Sequence, residues 1–292
     1  MRDRFKKKVW HSSIGFLRKR YALSELCSYF EVSRSGYYKA VESADKKLLN
    51  EQLVLSLIHD VRRRHPRIGG KKLYSVLKGD LKQAGIKLGR DKFFELLARN
   101  GLLVKRRRKY ISTTDSYHRF RVYRNLLKDK LLHKAHQGWV SDITYIRTKD
   151  DFVYLFLITD AYSRKIVGWH LSDSLKIKGA INALKMAIRQ CPDTKDLIHH
   201  SDRGIQYCSK DYVKLLKKAK IKISMTEANH CYENATAERI NGILKQEYGL
   251  DEAFTSEGNA VKAVKEAIWS YNTDRPHWSL NLATPQQVHI AA

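Results

Sequence analysis

Apolar residues in the first third of the chain recur at helical spacing. Leu23, Leu26, Cys27 and Phe30 share one face, and Ser33 is placed to cap a following short helix. The pattern predicts helix, tight turn, helix, with Arg34, Ser35, Tyr38 and Lys39 near the start of the second helix. A helix-turn-helix presents such residues to base edges in a major groove, and a purely structural hairpin shares the same pattern. A longer helix is predicted over residues 45–64, ending before His65 and Pro66 because the residue preceding proline disfavours helical geometry. A second helical pair follows. Residues 70–83 place Leu73, Val76, Leu77 and Leu81 on one face, Ala84 and Gly85 break the run, and residues 91–100 carry Phe93, Phe94, Leu96 and Leu97. Gly101 is the expected C-cap. Residues 111–132 have a polar start and a short apolar helix at their end, and are assigned as a linker.

Beyond residue 132 the period shifts from helical to strand-like. The runs GWVSDITYIRT, FVYLFLITDAYS and RKIVGWHLS are rich in Val, Ile, Tyr, Phe and Trp and are separated by turn signals. They predict an antiparallel three-stranded meander. Afterwards helices (175–189, 210–218, 234–246) alternate with strands (197–201, 221–225), so the expected fold class is α/β. It consists of an RNase H-like mixed five-stranded sheet flanked by helices, preceded by an all-α helix-turn-helix region. The expected division is a basic helical region at 1–110, the linker at 111–132, and the sheet domain at 133–292.

Charge sharpens that division. The chain of 292 residues has a formal net charge of +26. Residues 1–132 hold 34 Lys and Arg against 12 Asp and Glu, whereas residues 133–292 hold 22 against 18. An excess this large calls for a polyanionic partner, and it belongs to the N-terminal half. Lys105, Arg106, Arg107, Arg108 and Lys109 are consecutive. Five adjacent cations repel one another, which favours a phosphate-contacting arm over a solvated charge run. The longest apolar run, from Phe152 to Thr159, is far short of the roughly 20 residues of a membrane span. The N-terminus lacks an apolar signal region, so a cytosolic protein without membrane association is expected. Cys27, Cys191, Cys208 and Cys231 are scattered, which fits neither a disulfide framework nor a cysteine zinc cluster.

Three acids stand where the predicted sheet would gather them. Asp142 interrupts an apolar strand, where a charge is costly unless paired or metal-bound. Asp202 falls just past the fourth strand, and Glu238 lies in the first turn of a helix whose Asn234, Asn241 and Lys245 share its polar face. Singly, each has an ordinary reading: an edge-strand charge, a turn former before Gly204, and a partner for the helix dipole. Together they suit hard divalent cations, two of which about 4 Å apart stabilise both the attacking and the leaving oxygen in phosphodiester displacement. Thirty-five residues separate Asp202 from Glu238.

GWVSDITYI around Asp142, ITDAYSRKIVGW, HSDRGIQY around Asp202, ENATAERINGILKQE around Glu238 and YNTDRPHWSLNLATP carry a resemblance. The chain resembles the second-frame product of IS-three-family insertion-sequence transposases, whose catalytic domain is similar to retroviral integrase. The 35-residue interval is similar to that family's Asp-Asp-35-Glu signature. The resemblance implies catalytic and metal-holding roles for Asp142, Asp202 and Glu238, two Mg2+ or Mn2+ ions per site, and DNA contact by Lys245. It also implies DNA as partner, as terminal inverted repeats and as target, with cleavage and strand transfer on it. At least a dimer on DNA, a bacterial cytosolic, nucleoid-associated location and a possible upstream-frame partner product are implied as well. Glu233 replaces the usual Asp before Asn234 and Ala235, and Arg239 with Ile240 replaces the usual Ser-Phe after the Glu. A retroviral-type integrase or RNase H-like nuclease would need the same carboxylates, although the first half of the chain lacks the paired His and Cys zinc module of the former. A non-catalytic DNA-binding regulator would have no use for acids facing phosphates.

Other residues are expected to be structural. His199 alternates away from the Asp202 face, whereas His200 stays open as a water-polarising or phosphate-binding group. Asp160 is expected to cap a turn or bond within the sheet, Asn272, Arg275 and His277 to brace the Glu238 helix, and Trp139 and Trp169 to lie in the core.

Overall fold

The computed structural model describes residues 2–104, 121–149, 151–227 and 234–291, with side chains described from Trp10 onward. The helices, in chain order, are α1 (Arg2–Leu17), α2 (Leu23–Tyr29), α3 (Arg34–Arg64), α4 (Gly70–Gln83) and α5 (Arg90–Arg99) before the sheet. The strands are β1 (Gly138–Arg147), β2 (Phe152–Asp160), β3 (Ile166–Ser172), β4 (Ile198–Ser201) and β5 (Lys222–Met225). Among and after them come α6 (Ile177–Gln190), α7 (Ile205–Cys208), α8 (Lys210–Lys218), α9 (Ala235–Tyr248), α10 (Glu257–Thr273) and α11 (Pro285–Ile290). Among the described residues no helix is long and apolar enough to cross a membrane.

The chain forms two compact units. One comprises residues 1–60 with 77–89, and the other 61–76 with 90–292. This cut differs from the division drawn at 111–132. In the first unit, Ile14, Leu26, Cys27 and Tyr37 are buried together, with Trp10, Leu23 and Phe30 packed around them. The turn between α2 and α3 is closed by Val32 N–H donating to the Cys27 carbonyl (2.9 Å), with Glu31 in the left-handed region at φ 55. Ser33 Oγ accepts from Gly36 N–H (2.9 Å) as an N-cap does. The expected short helix and the helix over 45–64 are one 31-residue helix, α3. Nothing between Lys39 and Asp45 breaks it, since Ala40, Val41, Glu42 and Ala44 all tolerate helix.

In the second unit the sheet order is β3-β2-β1-β4-β5. The meander β1-β2-β3 is antiparallel, and β4 and β5 join it in parallel on the β1 side. This is the mixed RNase H-like sheet expected from the alternation. Period-two patterning gives each face its own core. Phe156 and Ile158 point with Trp139 and Val167 toward α6 and α8, burying Ala183, Leu184, Tyr212 and Leu216. Leu155 and Leu157 point the other way with Ile166, burying Ile240, Leu244, Val264 and Tyr271 of α9 and α10. Gly179 lets α6 approach so closely that a methyl group there would collide with the Phe156 ring. The short apolar helix expected near residues 126–132 is absent. Asn125 Oδ1 accepts from Leu127 N–H (3.0 Å) and Lys128 N–H (3.1 Å), forming a turn instead, and Asp129 takes a positive φ of 58.

Three imidazoles are sealed into this second unit. Burial pushes His65 down to about 4 and His199 and His277 down to about 3. Their folded pKa values lie below the unfolded value, so their share of stability is complete above pH about 6.5 and is lost as pH falls toward about 4. Three such groups contribute a slope of up to about 4 kcal/mol per pH unit, against a whole-domain stability of about 5–15 kcal/mol. Urea midpoints are therefore expected to fall steeply between neutral pH and pH about 5. A midpoint flat across that interval would contradict the sealed imidazoles.

Candidate active site

Asp142 lies mid-strand on β1, opposite Leu157 of β2, and is partly buried. Its Oδ1 accepts from Ile143 N–H (2.9 Å), and its Oδ2 accepts from the Asn241 amide on α9 (2.7 Å). Burial and then the neighbouring Asp202 carboxylate push its pKa up to about 7, with a smaller push from Glu238 and a downward pull from the Asn241 hydrogen bond. Asp202 follows β4, and its Oδ1 accepts from Gly204 N–H (2.9 Å). A Cβ at Gly204 would stand only 3.0 Å from that oxygen, so the turn that orients Asp202 favours glycine. Glu238 is exposed in the first turn of α9.

The position of α9 is fixed from both sides of Glu238. Ala237, Ile240 and Leu244 are buried toward the sheet, as the sequence pattern implies. Asn234 Nδ2 donates to the Ser141 carbonyl (3.1 Å), and Asn241, two turns on, donates to Asp142. These two amides tie the helix to β1 beside Asp142. The Lys245 ammonium stands 3.9 Å from the Tyr145 ring centroid, with its pKa lowered by burial and raised by Asp142. Asp142, Asp202, Glu238 and Lys245 thus share one electrostatic neighbourhood. Among the described residues no three ligating side chains converge to the spacing of a bound ion. The donor chemistry nonetheless fits a hard divalent cation: carboxylates of like charge crowd one another, and the buried Asn241 Oδ1 has no hydrogen-bond partner.

The supporting residues sort as expected with two refinements. His199 turns under the sheet, where Nε2 meets Ser141 Oγ (2.7 Å) and Tyr212 OH (2.9 Å). His200 is also buried, and its Nδ1 meets Ser224 Oγ (2.8 Å). Asp160 caps the β2–β3 turn, accepting from Ser163 N–H (2.8 Å) and, through its other oxygen, from His136 N–H (2.7 Å). Arg275 is fully buried and donates to both oxygens of Glu247 on α9 (2.7 and 2.8 Å), so it does brace the Glu238 helix. Asn272 lies within α10 and grips the β3 edge of the sheet rather than α9, accepting from Ile166 N–H (2.9 Å) and donating to its carbonyl (3.0 Å). Trp139 is wholly buried, and Trp169 is packed against the second core.

Arg34, Ser35, Tyr38 and Lys39 are all exposed in the first turns of α3. Lys105, Arg106, Arg107, Arg108, Lys109, Cys231 and Glu233 lie outside the described residues. The sequence did not single out Tyr145, whose only signal was its nearness to Asp142, or the Asn241 bond, hinted at by its place on the polar stripe.

Two family models, each described as an integrase core domain, match residues 133–231 and 219–285. The insertion element IS600 uncharacterized 31 kDa protein of Shigella sonnei is 35% identical over 264 residues, covering 89% of this chain and 96% of the relative. The transposase InsF for insertion sequence IS3A of Escherichia coli (strain K12) is 29% identical over 273 residues, covering 91% and 93%. The chain belongs to the IS-three family of insertion-sequence transposases. Asp142 and Asp202 fall in the first matched segment of this family member, and Glu238 and Lys245 in the second. Among solved structures, the HTLV-2 integrase catalytic core domain in complex with magnesium is 22% identical with a TM-score of 0.43, covering 57% of this chain and 99% of that one.

Proposed function

We propose that the chain is a DNA transposase: a polynucleotidyl transferase that cleaves the ends of an insertion sequence and joins them to another strand. The observation that carries the reading is Asp142, set mid-strand in an integrase core, hydrogen-bonded by Asn241 and lying in the field of Asp202 and Glu238. In this reading Asp142, Asp202 and Glu238 are the metal-holding catalytic residues. Two Mg2+ or Mn2+ ions, when bound there, would stabilise charge on the attacking and leaving oxygens. Asn241 and Asn234 hold α9 at the strand so that Glu238 faces the two aspartates. Lys245, its charge kept beside the carboxylates by Tyr145, contacts the DNA end. One arrangement of side chains serves both steps, because water and then a DNA 3' hydroxyl are presented to a phosphate at the same place. The basic N-terminal residues supply affinity, with Arg34, Ser35, Tyr38 and Lys39 reading DNA at the start of α3 and Lys105 to Lys109 gripping phosphates. Joining two ends calls for at least a dimer on DNA, either alone or with an upstream-frame product.

The test is cleavage and strand transfer on labelled DNA carrying the element's own end, with and without Mg2+, for wild type and Asp142→Asn. Expected is metal-dependent nicking at the 3' end, lost in the variant. Binding with no metal-dependent product would overturn the catalytic reading.

A further inference from the structure

The side of α9 opposite Glu238 borders a cavity of about 380 Å³ that plays no part in the chemistry above. Its wall is formed by Lys72, Arg164, Thr236, Arg239, Arg275 and Trp278, all within the second unit. At 100° per residue, positions 236, 239 and 243 lie across the helix from 234, 238, 241 and 245. The cavity and the carboxylates are therefore on opposite flanks of one helix.

The wall holds four cations and no carboxylate. Glu247 lies beneath it, bonded to Arg275 and 3.5 Å from Lys72, and offsets a single charge. Arg164 points inward with its guanidinium donating to Thr236 Oγ1 (3.0 Å), and Arg239 is exposed at the mouth. Among the described residues neither Arg164 nor Arg239 has a carboxylate partner within ion-pair distance. The four cations and His277 line the same cavity, and His277 is held toward its neutral form by burial first and then by Arg275, Lys72, Arg164 and Arg239. Like charges brought together around a concavity cost free energy unless an anion joins them. Trp278, 56% exposed, stands at the rim as an uncovered aromatic face.

We propose that this cavity binds a backbone phosphate of DNA, with Trp278 against the adjoining sugar and base. The inference rests on the reading of the chain as a DNA transposase, and it adds a second DNA contact away from the carboxylates. A carboxylate side chain would satisfy the cations, but a nucleotide satisfies both the cations and the exposed indole, since aromatic faces stack on bases of any sequence. DNA passing the carboxylates, or a second DNA segment, would then wrap the flank of α9.

The experiment is equilibrium binding of a labelled duplex carrying a short single-stranded overhang, whose unpaired bases are free to stack, to the full chain over a range of NaCl concentrations. The proteins are wild type, Arg239→Ala, Trp278→Ala and, as a control, Lys185→Ala, an exposed lysine of α6 on the opposite face of the sheet. Loss of one phosphate contact is expected to reduce the slope of log affinity against log salt by about 1 in Arg239→Ala. Trp278→Ala is expected to weaken binding about tenfold with the slope unchanged, because stacking carries no counterion release. Lys185→Ala should match wild type in both. An unchanged slope in Arg239→Ala, or the same change in Lys185→Ala, would overturn the site while leaving the transposase reading intact. A wild type that binds no DNA would instead defeat the transposase reading itself. An unchanged slope with weakened self-association of Arg239→Ala in analytical ultracentrifugation would assign the cavity to an acidic segment of a second copy, and would also overturn the proposal.

Discussion

Glu238→Gln is expected to abolish metal-dependent cleavage while leaving DNA affinity within about twofold of wild type. The carboxylate is exposed, makes no packing contribution and sits in the first turn of α9, where glutamine is equally compatible with helix. In the proposed metal-holding role, the change removes one negative charge and one strong oxygen ligand and keeps the shape. A metal ion contributes several kcal/mol of charge stabilisation in the transition state, so losing its ligand should lower the rate by about three orders of magnitude. The thermal midpoint should hold or rise slightly, because relief of like-charge crowding with Asp142 offsets the lost helix-dipole interaction. Rate and affinity are measured on the same end-bearing duplex. Loss of binding together with cleavage would make the carboxylate structural.

Arg275→Ala should be the most destabilising of the substitutions considered, by about 3–5 kcal/mol. Arg275 is 1% exposed and donates to both oxygens of Glu247, while its remaining terminal nitrogen meets His277 Nε2 at 2.7 Å. Truncation leaves a largely buried carboxylate and imidazole without their partner and opens a void beside Tyr271. Lys72, 3.5 Å from Glu247, limits the loss without replacing the bidentate geometry. Replacing Arg275 and Glu247 together by Met and Leu should cost less than the single truncation, since no buried charge is then stranded. Urea unfolding of the three proteins tests this. A double replacement worse than Arg275→Ala would show that the pair stabilises through more than mutual compensation.

The two predictions differ in how visible their residues are in the sequence. The strands were legible because β-branched and aromatic runs alternate between two buried faces, and the helices of the sheet domain because their apolar stripes are clean. Asp142 stands out in the sequence through cost, since an unpaired charge in an apolar strand is expensive, whereas Asp202 and Glu238 stand out through their place beside the sheet and the interval between them. By contrast, the Arg275–Glu247 pair joins residues from two helical segments whose meeting depends on the whole second layer. The cavity on the far side of α9 needs Lys72 from a helix more than 90 residues before Arg164 in the sequence. Such sites are made by tertiary packing and leave no local period. The misread portions have local causes. The helix α1 is too basic and too weakly periodic to stand out, the break assumed before Asp45 had no glycine or proline to enforce it, and Asn125 captured a turn where leucines suggested a helix.

The grip of Asn272 on Ile166 has a further consequence. Its amide offers an acceptor and a donor in the spacing of a peptide group, so part of the outer rim of β3 is already occupied by something that imitates a neighbouring strand. At the opposite rim, β5 has only four residues, begins with an exposed lysine, and has Ser224 engaged by Leu126 N–H at 2.8 Å. Blunted rims of this kind protect a sheet from growing by templated addition of further chains. If copies of the chain gather on DNA as proposed, such rims would let them be crowded without seeding fibres.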